Sequence, residues 1–96
     1  MKIISNKNND CMEIALEGRL DTTTAPELDS FLNSSYGDTS SLTINCKKLS
    51  YISSAGLRVL LTAHKKMKGN LKFINVCDLV MEVFELTGFA DILVIE

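Results

Sequence analysis

A chain of 96 residues with a 46% hydrophobic fraction suits one domain, residues 1–96, whose core needs no disulfide or metal staple. Charged residues make up 23% and the net charge is −2, which argues against nucleic acid as the main partner, because its phosphate backbone requires a concentrated basic face. No run approaches the roughly 18 apolar residues of a membrane span, and residues 1–6 lack the apolar stretch of a secretory signal, so the chain is expected to be cytoplasmic, without direct membrane insertion.

The elements follow in order with short connections. A first strand is expected over residues 1–5. Residues 6–10, Asn-Lys-Asn-Asn-Asp, have turn chemistry, because Asn and Asp tolerate left-handed backbone. Residues 11–17 alternate, with Met12, Ile14 and Leu16 on one side and Glu13 and Glu17 on the other. Two strands about a polar turn predict a hairpin. Thr22, Thr23 or Thr24 can cap a first helix, Pro26 fits its first turn, and Glu27 and Asp29 complement its positive end. Ala25, Leu28, Phe31, Leu32 and Tyr36 fall at helical spacing, and residues 37–40 break the run.

Leu42, Ile44 and Cys46 alternate with Thr43 and Asn45 in a third strand. Residues 50–56 lead into a second helix with Leu57, Leu60, Leu61, His64 and Met67 on one face, stopped by Gly69-Asn70. Its Lys65, Lys66 and Lys68 suit a helix C-terminus. Residues 71–77 form a fourth strand, and Asp78 can cap a third helix over residues 79–87 with Val80, Val83 and Phe84 inward. Residues 92–95 close with a short strand. The order β-β-α-β-α-β-α-β predicts an α/β fold: a mixed, mostly parallel sheet with right-handed crossovers and helices mainly on one face.

Enzyme chemistry is absent by motif. There is no phosphate loop, no G-x-G-x-x-G and no nucleophile elbow. Ser54 and His64 are ten residues apart on one helix, about 15 Å along its axis, so they form no catalytic couple. His64 is the only histidine, and it is read as a helix residue at the surface or core edge. Cys11, Cys46 and Cys77 are odd in number and widely spaced, so neither a disulfide framework nor a zinc site is expected. Each lies in an apolar pattern, where a buried thiol is the default. No cofactor and no enzymatic activity are expected.

The segment Leu49-Ser50-Tyr51-Ile52-Ser53-Ser54-Ala55-Gly56-Leu57 joins a buried strand to an amphipathic helix. By local chemistry, Ser53 is an N-cap candidate, Ser54 sits in the first turn and Gly56 permits close backbone packing. The segment also resembles the signature of the STAS domain, named for sulfate transporters and anti-sigma factor antagonists. That signature is an apolar strand followed by Asp-Ser-[Ser/Thr]-Gly-Leu at a helix start. Ser53 stands where the Asp is usual, Ser54 matches the phosphorylatable Ser, Ala55 replaces the next hydroxyl residue, and Gly56-Leu57 agree. A second segment, Leu16-Glu17-Gly18-Arg19-Leu20-Asp21, is similar to the family's L-x-G-x-[LI]-D. The likeness covers essentially the whole chain.

The resemblance implies an anti-sigma factor antagonist. Such a domain, unmodified, binds an anti-sigma factor serine kinase and so frees a sigma factor. The kinase uses ATP to phosphorylate the antagonist, which lets go, and a serine phosphatase resets it. Ser54 is the implied phosphorylation site. Asp21, Thr22, Thr23, Ser53, Ser54, Gly56, Leu57 and Arg58 are the implied partner-binding residues. A non-phosphorylated accessory subunit of a transporter complex remains the alternative.

Overall fold

In a computed structural model describing residues 1–96, five strands form one sheet in the order β1-β2-β3-β4-β5. They are β1 (Lys2–Asn8), β2 (Cys11–Leu20), β3 (Ser41–Ile52), β4 (Leu71–Ile74) and β5 (Val94–Ile95). The β1–β2 pair is antiparallel and the other three pairs are parallel. The hairpin turns through Asn9, whose φ of 59° is the left-handed conformation that Asn tolerates. The parallel strands are joined by α1 (Ala25–Ser35), α2 (Ser54–Lys66) and α3 (Asp78–Leu86). Each crossover moves one place along the sheet in the same direction, so the right-handed rule sets the three helices on one face.

Burial follows that layering. Ile14 and Leu16, Leu42 and Ile44, and Leu71 and Phe73 are buried beneath the helices, while Glu13, Thr43, Asn45 and Lys72 line the other face. From the helices come Leu28 and Leu32 of α1, Leu57, Leu60 and Ala63 of α2, and Val80 and Phe84 of α3. Phe84 meets Phe73 edge-on at 5.9 Å. Burying each such large side chain is worth about 1.5–3 kcal/mol. His64 is half-buried at the core edge, as expected. No helix is long and apolar enough to cross a membrane.

Several boundaries move. β1 runs to Asn8, beyond the predicted residue 5, and β2 continues past Gly18 to Leu20. β3 runs to Ile52, well past the alternating stretch that ends at Cys46. Its register shows why. Ala15 faces Asn45 but Glu17 faces Lys48, and Gly18 faces Leu49 but Arg19 faces Tyr51. At each of these two irregularities β3 carries one more residue than β2, a β-bulge. The buried positions therefore fall at Cys46, Leu49 and Ile52, spaced by three, and the period of two disappears. β4 ends at Ile74, short of residue 77, and α3 starts at Asp78 with Cys77 in the cap position that Asp78 was expected to hold.

The cysteines also differ from expectation. Only Cys46 is a buried strand thiol; Cys11 is exposed and Cys77 is half-buried beyond β4. Burial pushes the Cys46 thiol up to about 12, with the nearby Cys77 adding to the effect. The thiolate is the reactive form, so Cys46 is protected twice, by burial and by protonation. Iodoacetamide on the native protein is expected to label Cys11 first and Cys46 only on unfolding, read by peptide mass spectrometry. Equal labelling of Cys46 and Cys11 in the native state would contradict this packing.

Candidate functional site

The ends of β2 and β3 leave the sheet side by side. Leu20 is in register with Ile52, and the Ser53 N–H donates to the Leu20 carbonyl at 2.9 Å. Two loops therefore start from one point: residues 21–24 before α1, and Ser53 before α2. Sequence reasoning placed both motifs at strand ends, and the register brings them together.

The first loop is organised by Asp21. Its Oδ1 accepts from the N–H groups of Thr23 at 3.0 Å and Thr24 at 3.1 Å. The Thr24 hydroxyl donates to the Arg19 carbonyl at 2.7 Å and accepts from the Asp21 N–H at 2.9 Å. Thr24 occupies the N-cap position of α1, but its side chain makes no capping bond. The expected threonine cap is not made; three residues earlier the Asp21 carboxylate takes the N–H groups of Thr23 and Thr24 in the turn that leads into α1. The Thr24 N–H holds the Asp21 carboxyl below its ordinary value, against the opposing effect of desolvation and with help from the Thr23 N–H, the Thr24 hydroxyl and Arg19. Asp21 is therefore a standing anion. Arg19 lies 3.7 Å from its Oδ2 and 4.1 Å over the Tyr51 ring. That stacking follows from the second bulge, which sets Arg19 against Tyr51; no local pattern in the sequence announces it.

The second loop opens α2. Ser53 is extended, and its Oγ accepts from the Gly56 N–H at 3.3 Å, the N-cap role predicted for it. Ser54 is the first residue of the helix and is exposed, and its hydroxyl makes no hydrogen bond within the chain. The neighbouring serines are occupied, because Ser50 Oγ donates to the Gly18 carbonyl at 3.0 Å and Ser53 Oγ holds the cap. Arg58, one turn after Ser54, is exposed.

Gly56 and Leu57 lie elsewhere. Both are buried, Leu57 at 5% exposure. Of the expected partner-binding residues, these two form the underside of the α2 start and not its exposed edge. A Cβ on Gly56 would sit 2.7 Å from Leu20 Cγ and 3.0 Å from the Leu20 carbonyl oxygen. The first turn of α2 thus presses on the end of β2 at a distance only glycine allows. Leu20, the partner in this contact, was not singled out as functional from sequence. The exposed surface is left to Thr22, Thr23, Ser54 and Arg58, with Asp21 and Ser53 half-exposed.

No three His, Cys, Asp or Glu side chains converge anywhere in the structure. The two concavities lie away from Ser54. One, of about 210 Å³, is lined by Asn45, Lys47, Lys48 and neighbours beside the first bulge, and the other by residues near the hairpin turn.

Gly56→Ala sets two effects against each other. Alanine favours helix by about 1 kcal/mol over glycine. Overpacking against a backbone carbonyl costs about 1–3 kcal/mol, and the clash is expected to win. Urea unfolding should show a net loss of up to about 2 kcal/mol; a stabilising result would mean that the close contact is not tight.

Three comparisons place this geometry among known proteins. Residues 2–96 match the STAS domain. An anti-sigma-B factor antagonist from Staphylococcus aureus is 32% identical over 85 residues, covering 84% of this chain and 79% of that protein. The crystal structure of an anti-sigma factor antagonist from Mycobacterium paratuberculosis superposes with a TM-score of 0.88 at 18% identity, covering 98% of this chain and 83% of that one. The Bacillus cell fate determinant SpoIIAA in its phosphorylated form superposes with a TM-score of 0.78 at 17% identity, covering 99% of this chain and 91% of that one.

Proposed function

This chain belongs to the STAS domain family, and we propose that it is an anti-sigma factor antagonist switched by phosphorylation of Ser54. In the unmodified state it sequesters an anti-sigma factor serine kinase in the cytoplasm and so releases a sigma factor. Asp21, Thr22, Thr23, Ser53, Ser54 and Arg58 form the docking edge, and Gly56 and Leu57 hold it from beneath. The observation that carries this reading is the state of the three serines around the strand-to-helix junction. Ser50 and Ser53 have their hydroxyls engaged, and Ser54 alone offers a free one at an exposed position.

Phosphorylation then works without refolding. A phosphate adds about −1.5 to −2 charges. It arrives at the edge that also carries Asp21, whose carboxyl is held below its ordinary value. In the free domain the new charge faces water and the positive end of α2. In a complex it is desolvated together with Asp21, against a surface shaped for a neutral hydroxyl. A penalty of about 3 kcal/mol weakens binding more than a hundredfold. A serine phosphatase restores the hydroxyl and the affinity.

The test is incubation with the cognate anti-sigma factor kinase and ATP, followed by mass mapping and a binding titration. Modification is expected at Ser54 and absent from Ser54→Ala. Ser54→Ala should bind the kinase as the unmodified protein does, and Ser54→Asp should bind at least tenfold more weakly, about half of the phosphate's effect in free energy. Modification at Ser50 or Ser53, or undiminished binding by the phosphorylated protein, would overturn the reading.

A further inference from the structure

We propose that Arg58 is the internal partner of phosphorylated Ser54: a positioning residue that folds onto the phosphate and is thereby withdrawn from the docking edge. The inference rests on the reading of Ser54 as the modified residue. Residues four apart on a helix are neighbours, and an anion placed N-terminal to a cation is the favoured order. Side chains lean toward the helix N-terminus, so Arg58 extends over the turn that carries Ser54. Arginine also matches phosphate with paired N–H donors, which lysine cannot do.

Arg58 is available for this role. It is exposed, and its guanidinium takes part in none of the ion pairs, side-chain hydrogen bonds or cation–π contacts of the structure. The first turn of α2 holds no acidic residue to compete for it. Charged groups on surrounding elements include Arg19 near the end of β2, Asp21 in the loop after it, Glu27 and Asp29 on α1, Lys47 and Lys48 on β3, and Asp78, Glu82 and Glu85 on α3. Arg19 is committed to Asp21 and the Tyr51 ring, so Arg58 is the cation left for the phosphate. Modification then changes the edge twice, adding an anion and removing a cation that the unmodified protein presents to its partner.

The experiment uses the full chain with phosphoserine installed at position 54 by genetic encoding, so it needs no kinase. A kinase that fails to modify Ser54 counts against the reading of the switch, whereas this measurement addresses Arg58 alone. Phosphorus NMR follows the second ionisation of the phosphate, ordinarily near pH 6. With Arg58 in place the midpoint is lowered; in Arg58→Gln it is expected about 0.2–0.4 pH unit higher, with Arg58→Lys between the two. Asp21 is present in every variant and its influence cancels. In the unsubstituted protein the Arg58 Nε–H resonance should move on phosphorylation and move back as the phosphate protonates. Identical midpoints in wild type and Arg58→Gln, or an Arg58 resonance indifferent to the phosphate, would overturn the proposal.

Discussion

The contact of α2 with the end of β2 sets the geometry of everything else at this edge. Gly56 lies where a methyl group would meet the Leu20 side chain at 2.7 Å and its carbonyl at 3.0 Å. The Ser53 N–H completes the junction by bonding that same carbonyl. Because the helix starts so close to the strand, Ser54 has no space beneath it and stands outward. Because Leu20 is fixed, Asp21 begins its loop from a defined point. Two segments about thirty residues apart in the chain are thereby held as one surface by a single residue's carbonyl and the absence of one side chain.

The surface built this way is polar and locally braced. Asp21 is held ionised by the N–H groups it caps, and Thr24 ties that loop back to Arg19. None of these bonds involves the apolar core, which lies between sheet and helices. A charge added at Ser54 can therefore alter what the edge binds while leaving the packing of Phe73, Phe84 and their neighbours untouched. That separation between a rigid scaffold and an electrostatic edge would let the proposed modification act on affinity without a change of fold.

Much of the architecture was legible from local pattern. The alternation of Met12, Ile14 and Leu16 marks β2, and the spacing of Leu28 and Leu32 marks α1; both states are imposed by the period of their own backbone. The STAS resemblance rested on the two segments that the register unites. Illegible features arose from relations between segments. The bulges of β3 are visible only against β2, so the strand seemed to stop at Cys46 when it continues to Ile52. The threonine expected to cap α1 does not, because the Thr24 hydroxyl is taken by the Arg19 carbonyl and the Asp21 N–H, while the Asp21 carboxylate holds the turn before the helix. Gly56 and Leu57 belong to the recognised motif yet face inward, because a motif records which residues a junction needs without saying which of them face solvent.

The proposed docking surface for a protein partner is one edge, the ends of β2 and β3 with the loops they launch. Amide hydrogen exchange of the unmodified protein, alone and with its cognate anti-sigma factor, tests it most directly. Protection is expected at residues 21–24 and 53–58, absent from the open-face positions Thr43, Asn45 and Lys72, and lost when Ser54 is phosphorylated. Protection confined to the open face of the sheet, or unchanged by the phosphate, would contradict the account.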